Sequence, residues 1–369
     1  MTFPIRVGII GIGNSSKHGH LPALNLLPEY KLSAIYSKRR DAAEIAAAEY
    51  GITYVVKTLD ELVSHPEVDL VVVLTTAAHI VEGIRAAIGA RKDVYSEWPL
   101  TPSTRLSEQL AGSADAAGVR AMVGLHRRFA PHNRYLADLL KKGYVGKLRS
   151  VRMHVSTSLF QALQPKGLRR RAQSPNFSSM VTSFAGHYLD MLFSATGWPD
   201  SVLALDINQF PEVTIMETGE VITTTNPDEF VFIGKFPGGA VVTASFGGRK
   251  RNGAEMQIDF TGTEGDIRIS NSSAVGGGID DYVMTGAHGY KSPLTPLPVP
   301  AKYDSLPQSN LPSPIIELAH NYVAIAHDIR KGTRIAPTFN DAVRMHKLID
   351  AATESTTKGG PVALHHTYH

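Results

Sequence analysis

The opening of the chain constrains its fold more than any other stretch. A run of β-branched and apolar residues, Ile5–Ile10, leads into two glycines one residue apart, Gly11 and Gly13. Glycine suits such a turn because the backbone bends tightly there and because a Cβ atom would block a close-lying phosphate. The polar residues Asn14 and Ser15 follow, before a segment that can be helical. This pattern predicts the strand, turn and helix of a dinucleotide-binding unit, with these four residues as cofactor contacts.

The fingerprint departs from the usual G-x-G-x-x-G pattern because Ser16 stands where the third glycine is expected. A glycine pair after a strand also occurs in ordinary tight turns. The place of this pair at the head of alternating strands and helices favours the nucleotide turn.

The second strand ends in Ser37, Lys38 and Arg39. In dinucleotide-binding folds an acidic residue here accepts a hydrogen bond from the ribose 2′-hydroxyl, and its carboxylate would repel a 2′-phosphate. A hydroxyl followed by cations fits the 2′-phosphate better. We therefore predict NADP(H) as the preferred cofactor, with NAD(H) as the alternative and an ordinary basic loop as the simpler interpretation.

A third predicted strand, Val68 to Leu74, is apolar apart from Asp69, which is typical of a parallel sheet covered on both faces. Ligands bind at the carboxyl edge of such sheets. Thr75, Thr76 and His79 follow this strand and are predicted cofactor contacts.

After about residue 125 the pattern changes to longer strands with alternating apolar residues, and Phe236-Pro237-Gly238-Gly239 is typical of a hairpin turn. The predicted fold class is α/β: a Rossmann dinucleotide-binding domain over residues 1–125, then an α+β domain over 126–369 with a large, mostly antiparallel open sheet. Helices near 313–331 and 340–357 are expected to close the chain and to pack back on the first domain. Residues 286–314 are expected to form a long surface loop.

Composition limits the classes of function. The net charge of +3 gives little support for binding nucleic acid, and the absence of cysteine excludes disulfides, zinc–thiolate sites and cysteine nucleophiles. No apolar run is long enough to span a bilayer. We expect a cytoplasmic protein with a small-molecule substrate, no membrane or nucleic-acid partner and no metal. The histidine-rich end, residues 364–369, is expected to be a loose tail.

Several motifs occur in a specific order along the chain. They are His20-Leu21-Pro22, Glu97-Trp98-Pro99, Arg127-Arg128-Phe129 and Gly186-His187-Tyr188-Leu189-Asp190. In this order the chain resembles the Gfo/Idh/MocA oxidoreductases over nearly its whole length. That family carries Glu-Lys-Pro where this chain has Trp98, and an aspartate where it has Ser183. Both departures resemble the Gal80 branch, whose members include a fungal regulator that binds a nicotinamide dinucleotide without needing to turn over a substrate.

The resemblance implies hydride exchange between a nicotinamide and a carbinol carbon, with His187 as the acid/base residue. Glu97 and Trp98 are implied cofactor contacts, and the indole of Trp98 can stack but cannot replace a titrating lysine. The implied substrate contacts are Trp98, His126, Arg128, Ser183 and His187, of which Arg128 is equally well interpreted as a structural anchor. On a helix, Ser183 and His187 would lie opposite the apolar stripe formed by Val181, Ala185, Tyr188 and Leu192.

Three functions remain open from the sequence. The first is an oxidoreductase acting on a sugar, polyol or related carbonyl compound. The second is a non-catalytic, cofactor-bound sensor of the Gal80 type, favoured by Trp98 and Ser183. The third is a lyase or glycosidase-like variant that uses transient oxidation. The family resemblance also implies a homodimer or homotetramer formed through the open face of the second sheet.

Overall fold

A computed structural model describes residues 4–75, 77–157, 159–169, 179–248, 255–274 and 282–364. The chain divides into two compact units. The first comprises Met1–Ala130 and Ser305–Arg344, and the second comprises Pro131–Asp304 and Met345–His369. The sequence predicts 1–125 and 126–369 instead, so the structure assigns two further stretches, 126–130 and 305–344, to the first unit.

The sheet of the first unit has six strands, all parallel to their neighbours. Its spatial order is 3-2-1-4-5-6, so the order reverses between strands 1 and 4, where α/β sheets bind ligands outside the carboxyl ends. The Rossmann prediction is thereby confirmed. The strands are β1 (Ile5–Ile10), β2 (Tyr30–Tyr36), β3 (Tyr54–Val55), β4 (Leu70–Val73), β5 (Asp93–Ser96) and β6 (Ala121–Val123).

Local sequence explains where these elements begin and end. All four residues of β4 are buried, as expected for a central parallel strand. Gly51 and Gly118 end their helices in the left-handed conformation that glycine favours, with φ of 66° and 68°. Ser103 caps its helix by accepting from the amide of Leu106. The helices are α1 (Leu21–Leu26), α2 (Arg40–Tyr50), α3 (Leu59–Val63), α4 (Ala77–Gly89) and α5 (Thr104–Ala117).

Helix α8 (Ser313–Lys331) belongs to the first unit because its apolar side chains are part of that unit's core. Tyr322, Ile325 and Ala319 are fully buried in one cluster with residues of β1 and α1. The hydroxyl of Tyr30 donates to the carbonyl oxygen of Tyr322 over 2.6 Å. Burial of this apolar surface binds a late segment of the chain to its earliest strands.

The second unit is built on a nine-stranded sheet in the order 17-16-15-14-7-13-12-9-18. The central pair of strands 7 and 13 is parallel, and every other pair is antiparallel, so the predicted mostly antiparallel sheet is confirmed. The strands are β7 (Leu148–Thr157), β9 (Ser201–Ile207), β12 (Glu229–Lys235), β13 (Val241–Gly248), β14 (Met256–Gly262), β15 (Gly265–Asn271), β16 (Tyr282–His288), β17 (Thr295–Pro296) and β18 (Val362–Ala363).

One face of this sheet carries the aromatic core. Phe230 and Phe246 stack with ring centroids 5.9 Å apart, and Phe232 lies 6.0 Å from Phe193 of helix α7 (Gly186–Thr196). The opposite face, called the open face below, exposes a cluster of aliphatic side chains on β9 and β12. They are Leu203, Leu205, Ile207, Val231 and Ile233.

The remaining elements of the second unit are a small sheet and two helices. The small sheet contains β8 (Leu163–Gln164), β10 (Glu212–Ile215) and β11 (Val221–Thr223). Helix α6 spans Pro131–Lys141, and helix α9 spans Phe339–Lys358 and crosses the division between the units. The prediction of one loop over 286–314 is wrong in part, because β16 continues to His288 and β17 pairs with it. No helix in the described part of the chain is long and apolar enough to cross a membrane.

Candidate active site

The glycine turn at the end of β1 is closed to a side chain at Gly11 and open at Gly13. Gly11 has a φ of 95°, and a Cβ there would lie 2.9 Å from both the carbonyl oxygen of Leu74 and the Cγ2 of Thr75. A side chain at position 11 is therefore excluded. A Cβ at Gly13 would meet no atom within 4 Å, so this side of the turn is open. The open side of the turn therefore has room for a diphosphate, and the binding of one stays a prediction.

Ser16 explains how the turn manages without its third glycine. The side chain is completely buried. Its hydroxyl donates to the carbonyl oxygen of Gly11 over 3.1 Å and accepts from the amide of Gly13 over 3.3 Å. Asn14 and Ser15 lie exposed between these contacts. The buried hydroxyl of Ser16 therefore links Gly11 to Gly13, and the two residues between Gly13 and Ser16 face solvent.

The end of β2 lies directly beside the turn, because the amide of Gly11 donates to the carbonyl oxygen of Tyr36 over 2.8 Å. The guanidinium of Arg39 donates to the carbonyl oxygen of Ile12. The hydroxyl of Ser37 accepts from the amide of Arg39 over 3.1 Å, and Lys38 is exposed. A hydroxyl and two cations are thus held next to the glycine turn, where the ribose of a dinucleotide is bound in this fold.

The end of β4 supplies the next group. The hydroxyl oxygen of Thr75 is buried and has no hydrogen-bond partner among the described residues. Such an atom is costly unless a ligand or water satisfies it, which fits a binding edge. His79 is half-buried on α4. The predicted contact Thr76 lies outside the described residues.

A buried polar network follows β5. The Oε1 atom of Glu97 lies 2.6 Å from the Nε2 of His20 and accepts from the hydroxyl of Tyr95 over 3.1 Å. The Nδ1 of His20 lies 2.7 Å from the hydroxyl of Tyr322. Burial raises the pKa of Tyr95 and of Tyr322 well above the usual value, so both stay protonated. The sequence does not predict this network, although the His20-Leu21-Pro22 motif marks one of its members.

Two ion pairs and a neutral histidine follow β6. His126 is held by its Nδ1, 3.0 Å from the carbonyl oxygen of Gly124, and burial lowers its pKa to about 4 against the opposing charge of Glu97. The guanidinium of Arg128 lies 3.5 Å from Asp341, which fits the structural interpretation of that arginine. Sequence reasoning missed the neighbouring pair of Arg127 and Glu317, which lie 3.7 Å apart with side chains only 10% and 4% exposed.

The helix that carries His187 belongs to the second unit. It begins as a π-helical segment, Met180–Ala185, capped by the hydroxyl of Ser179, and continues as α7. The predicted apolar stripe is completely buried. Ser183 and His187 are half-buried, whereas Asp190 is fully buried. Between Met180 and Phe193, Ser183 and His187 are thus the two positions that are not buried.

The predicted residues therefore lie in two groups. The parallel strands bring the glycine turn, the end of β2, Thr75 and Glu97 to one edge of the first sheet, whereas Ser183 and His187 lie in the second unit. Trp98 is buried, with 5% of its surface exposed. Among the residues with described positions, no three histidine or acidic side chains are grouped as metal ligands, and residues 365–369 lie outside that set.

Two family models match the chain. One, described as an oxidoreductase family with an NAD-binding Rossmann fold, covers residues 5–125, and one for the Gal80p C-terminal domain covers 131–271. Dehydrogenase aclE of Aspergillus oryzae is 30% identical over 64% of this chain and 68% of its own length. The chain belongs to the Gfo/Idh/MocA oxidoreductase family. Its second half matches the Gal80 type, as the departures at Trp98 and Ser183 predict.

Two further relatives represent different functions within this family. The galactose/lactose metabolism regulatory protein GAL80 of Saccharomyces cerevisiae is 24% identical over 99% of this chain and 96% of its own. The structure of a super-repressor mutant of that Gal80p superposes with a TM-score of 0.85 at 22% identity, over 98% of each chain. The scyllo-inositol 2-dehydrogenase (NADP(+)) IolW of Bacillus subtilis is 25% identical over 98% of this chain and 96% of its own.

Proposed function

We propose that this protein is an NADP-dependent oxidoreductase that transfers a hydride between the nicotinamide and a sugar, polyol or related carbonyl or hydroxyl compound. The observation that carries the proposal is the glycine turn, which is open at Gly13 and flanked by Lys38 and Arg39. No carboxylate is present among residues 37–40. Membership of an oxidoreductase family and the similarity to an NADP-dependent inositol dehydrogenase support the same conclusion.

The cofactor contacts follow from the first unit. Gly11, Gly13, Asn14 and Ser15 would hold the diphosphate, and Ser37, Lys38 and Arg39 would hold the 2′-phosphate. Thr75, Thr76, His79, Glu97 and Trp98 complete the proposed contact set. When bound, the cofactor supplies a carbon that accepts or donates a hydride. NAD(H) is the weaker alternative, because it lacks the phosphate that the two cations would pair with.

The proton of the reaction is assigned to His187. An imidazole titrates near neutral pH, so it can take a proton from a hydroxyl or return it to a carbonyl oxygen. Its half-buried position among buried residues of the same helix supports the assignment. The proposed substrate contacts are Ser183, Trp98, His126 and Arg128. Arg128 would contact the substrate while it stays paired with Asp341.

The experiment is a turnover assay. Purified protein is mixed with NADP or NADPH and a panel of aldoses, ketoses, polyols and inositols, and formation or loss of the reduced nicotinamide is followed by absorbance. Turnover is expected with at least one member, and His187→Ala is expected to lower it by at least about a hundredfold. Arg40→Ala serves as the control, since Arg40 pairs with Glu44 at 2.8 Å and has no proposed role in binding.

A second function is a cofactor-bound regulatory protein of the Gal80 type. Similarity to a regulatory protein over 99% of the chain and a tryptophan at the position of the family lysine favour it. Tight binding of the cofactor with no turnover of any panel member would select this function over the dehydrogenase.

We also propose that the protein forms a homodimer or homotetramer through the open face. Its aliphatic residues are neighbours across strands: Leu205 pairs with Val231, and Leu203 with Ile233. These four side chains are between 37% and 51% exposed. A contiguous apolar patch of this kind is usually covered in the assembled protein.

A further inference from the structure

The contact between His20 and Glu97 joins a buried side chain to a partly exposed one. The two side chains are 2.6 Å apart, and that of His20 is only 2% exposed. The Glu97 side chain is 29% exposed, so one end of the pair is enclosed and the other reaches the surface of the first unit. A charged group held this closely in a low-dielectric setting responds strongly to any further charge placed near it.

The proton inventory shows that the pair can hold one proton more or less without losing its contacts. With Glu97 ionised, the Nε2 of His20 donates to it, and the protonated hydroxyl of Tyr322 donates to Nδ1. If one proton is added, His20 becomes a cation and the Tyr322 hydroxyl turns to accept from Nδ1. Both states keep the 2.6 Å and 2.7 Å contacts.

The groups around the pair keep their charge states near neutral pH. Burial raises the pKa of Tyr95 and of Tyr322 far above neutrality. Burial lowers the pKa of His126 to about 4, so that ring is neutral. Asn321, beside the Tyr95 hydroxyl, does not titrate. Arg127 beyond His126 keeps its charge and lies 3.7 Å from Glu317.

The pair also lies where a cofactor's charge would be felt. His20 is in the helical segment that follows the glycine turn, and Glu97 is the first residue after β5, at the carboxyl edge of the sheet. Ligands of such sheets lie outside this edge. An oxidised nicotinamide ring is a cation and a reduced ring is neutral, so the two forms of the cofactor present different charges to a carboxylate there.

We propose that His20 and Glu97 form one proton-holding group that takes up a proton when the reduced cofactor is bound and releases it when the oxidised cofactor is bound. A cationic ring favours the state without the added proton, in which the pair carries the negative charge of Glu97, and a neutral ring leaves the pair free to accept a proton from solvent. No bond other than those to this proton changes, and no further reactant is needed. The inference rests on the cofactor site of the proposed function, but not on turnover of a substrate.

The test is calorimetric titration of the whole protein with NADP and with NADPH near pH 7, in buffers that differ in ionisation enthalpy. The dependence of the binding enthalpy on the buffer gives the number of protons taken up. We expect NADPH to bind with up to about one proton more than NADP. The ratio of the two dissociation constants should change with pH, by up to about tenfold per pH unit for a difference of one proton.

Two substitutions remove the groups that exchange the proton and replace them with polar side chains of similar size. Glu97→Gln and His20→Gln are each expected to abolish the proton difference and the pH dependence of the ratio, measured at cofactor concentrations chosen for the affinity of each variant. His65→Asn is the matched control: His65 lies in the loop before β4, where its Nδ1 accepts from the amide of Glu67 over 3.1 Å. If a variant fails to fold, the nitrogen chemical shifts of His20 in the wild-type protein, measured with each cofactor, give the same answer.

The outcomes separate the two proposals. Equal proton uptake with NADP and NADPH in the wild-type protein would overturn the role of the pair and leave the proposed oxidoreductase intact. A proton difference that persists unchanged in Glu97→Gln would do the same. Failure of both cofactors to bind would overturn the proposed function and this inference together.

Discussion

Ser16 and Gly11 are joined by a hydrogen bond of 3.1 Å from the serine hydroxyl to the glycine carbonyl oxygen, and the same hydroxyl accepts from Gly13. In Ser16→Ala both bonds are lost in a completely buried position. We expect the free energy of unfolding of the first unit to fall by about 1–3 kcal/mol and NADP binding to weaken. Denaturant unfolding and a cofactor titration measure the two effects. The exposed Ser15→Ala is the control for stability, and equal stability of both variants would contradict the bridging role of Ser16.

Lys38 is expected to determine the preference for NADP. In Lys38→Ala the dissociation constant of NADP should rise by about tenfold or more while that of NAD stays constant, because only the former carries the 2′-phosphate. Fluorescence titration with each cofactor provides the measurement. Arg39→Ala should weaken both cofactors, since its guanidinium also contacts the carbonyl oxygen of Ile12 in the turn. An unchanged preference in Lys38→Ala would remove the argument for a 2′-phosphate site.

The buried pair of Arg127 and Glu317 should be more important for stability than a surface pair. Glu317→Ala removes this carboxylate from beside the Arg127 side chain, which is only 10% exposed. We expect a loss of about 3–5 kcal/mol in the free energy of unfolding. The double variant Arg127→Met/Glu317→Leu should lose less than Glu317→Ala alone, because no buried charge remains. In a cycle built from Arg127→Met, Glu317→Leu and their double variant, additive losses would show that the two residues are not coupled.

His346 should make the protein less stable in mild acid. Its ring is fully buried, and burial lowers its pKa from 6.5 to about 4. Between these two values the unfolded chain binds more protons than the folded one. The contribution of the neutral His346 to the free energy of unfolding is therefore fully present above pH 6.5. It is lost as the pH falls toward 4, by at most about 3 kcal/mol. Unfolding measured from pH 4 to 8 should show a flatter profile in His346→Leu, and the exposed His18→Asn should keep the wild-type slope.

The open face should control assembly. Leu205→Lys places a charge beside Val231 in the middle of the apolar cluster and is expected to dissociate the homo-oligomer without unfolding it. Size-exclusion chromatography with light scattering measures the mass. Ile45→Lys is the matched control, because Ile45 is 61% exposed on α2 of the first unit. A wild-type protein that is already a monomer, or a Leu205→Lys variant that remains associated, would contradict this interface.

Local sequence was sufficient to predict much of the fold. Gly51 and Gly118 end helices because glycine alone adopts the left-handed conformation cheaply, and β4 is recognisable because a central parallel strand is apolar on both faces. Strand β16 could not be predicted in this way. It contains Gly286, and its stability comes from pairing with β15 rather than from its own residues.

The candidate site was predictable where a backbone pattern encodes it and unpredictable where contacts are remote in sequence. The glycine turn and the cations at 38 and 39 are read directly from neighbouring residues. By contrast, the network of His20, Glu97 and Tyr322 joins three distant segments. Helix α8 brings Tyr322 into the first unit through apolar burial, and no local pattern specifies that partner.

The parallel pairing of β7 with β13 affects how the second unit reaches its native state. Among the described residues, these neighbours at the middle of the nine-stranded sheet are separated in the chain by helix α7 and five other strands. The hairpin of β12 and β13 can form early because its residues are adjacent in sequence. Strand β7 can pair with β13 only after that distant hairpin has formed. Until then its long edge is unprotected, so the second unit is the half of the molecule that would most need a chaperone during synthesis.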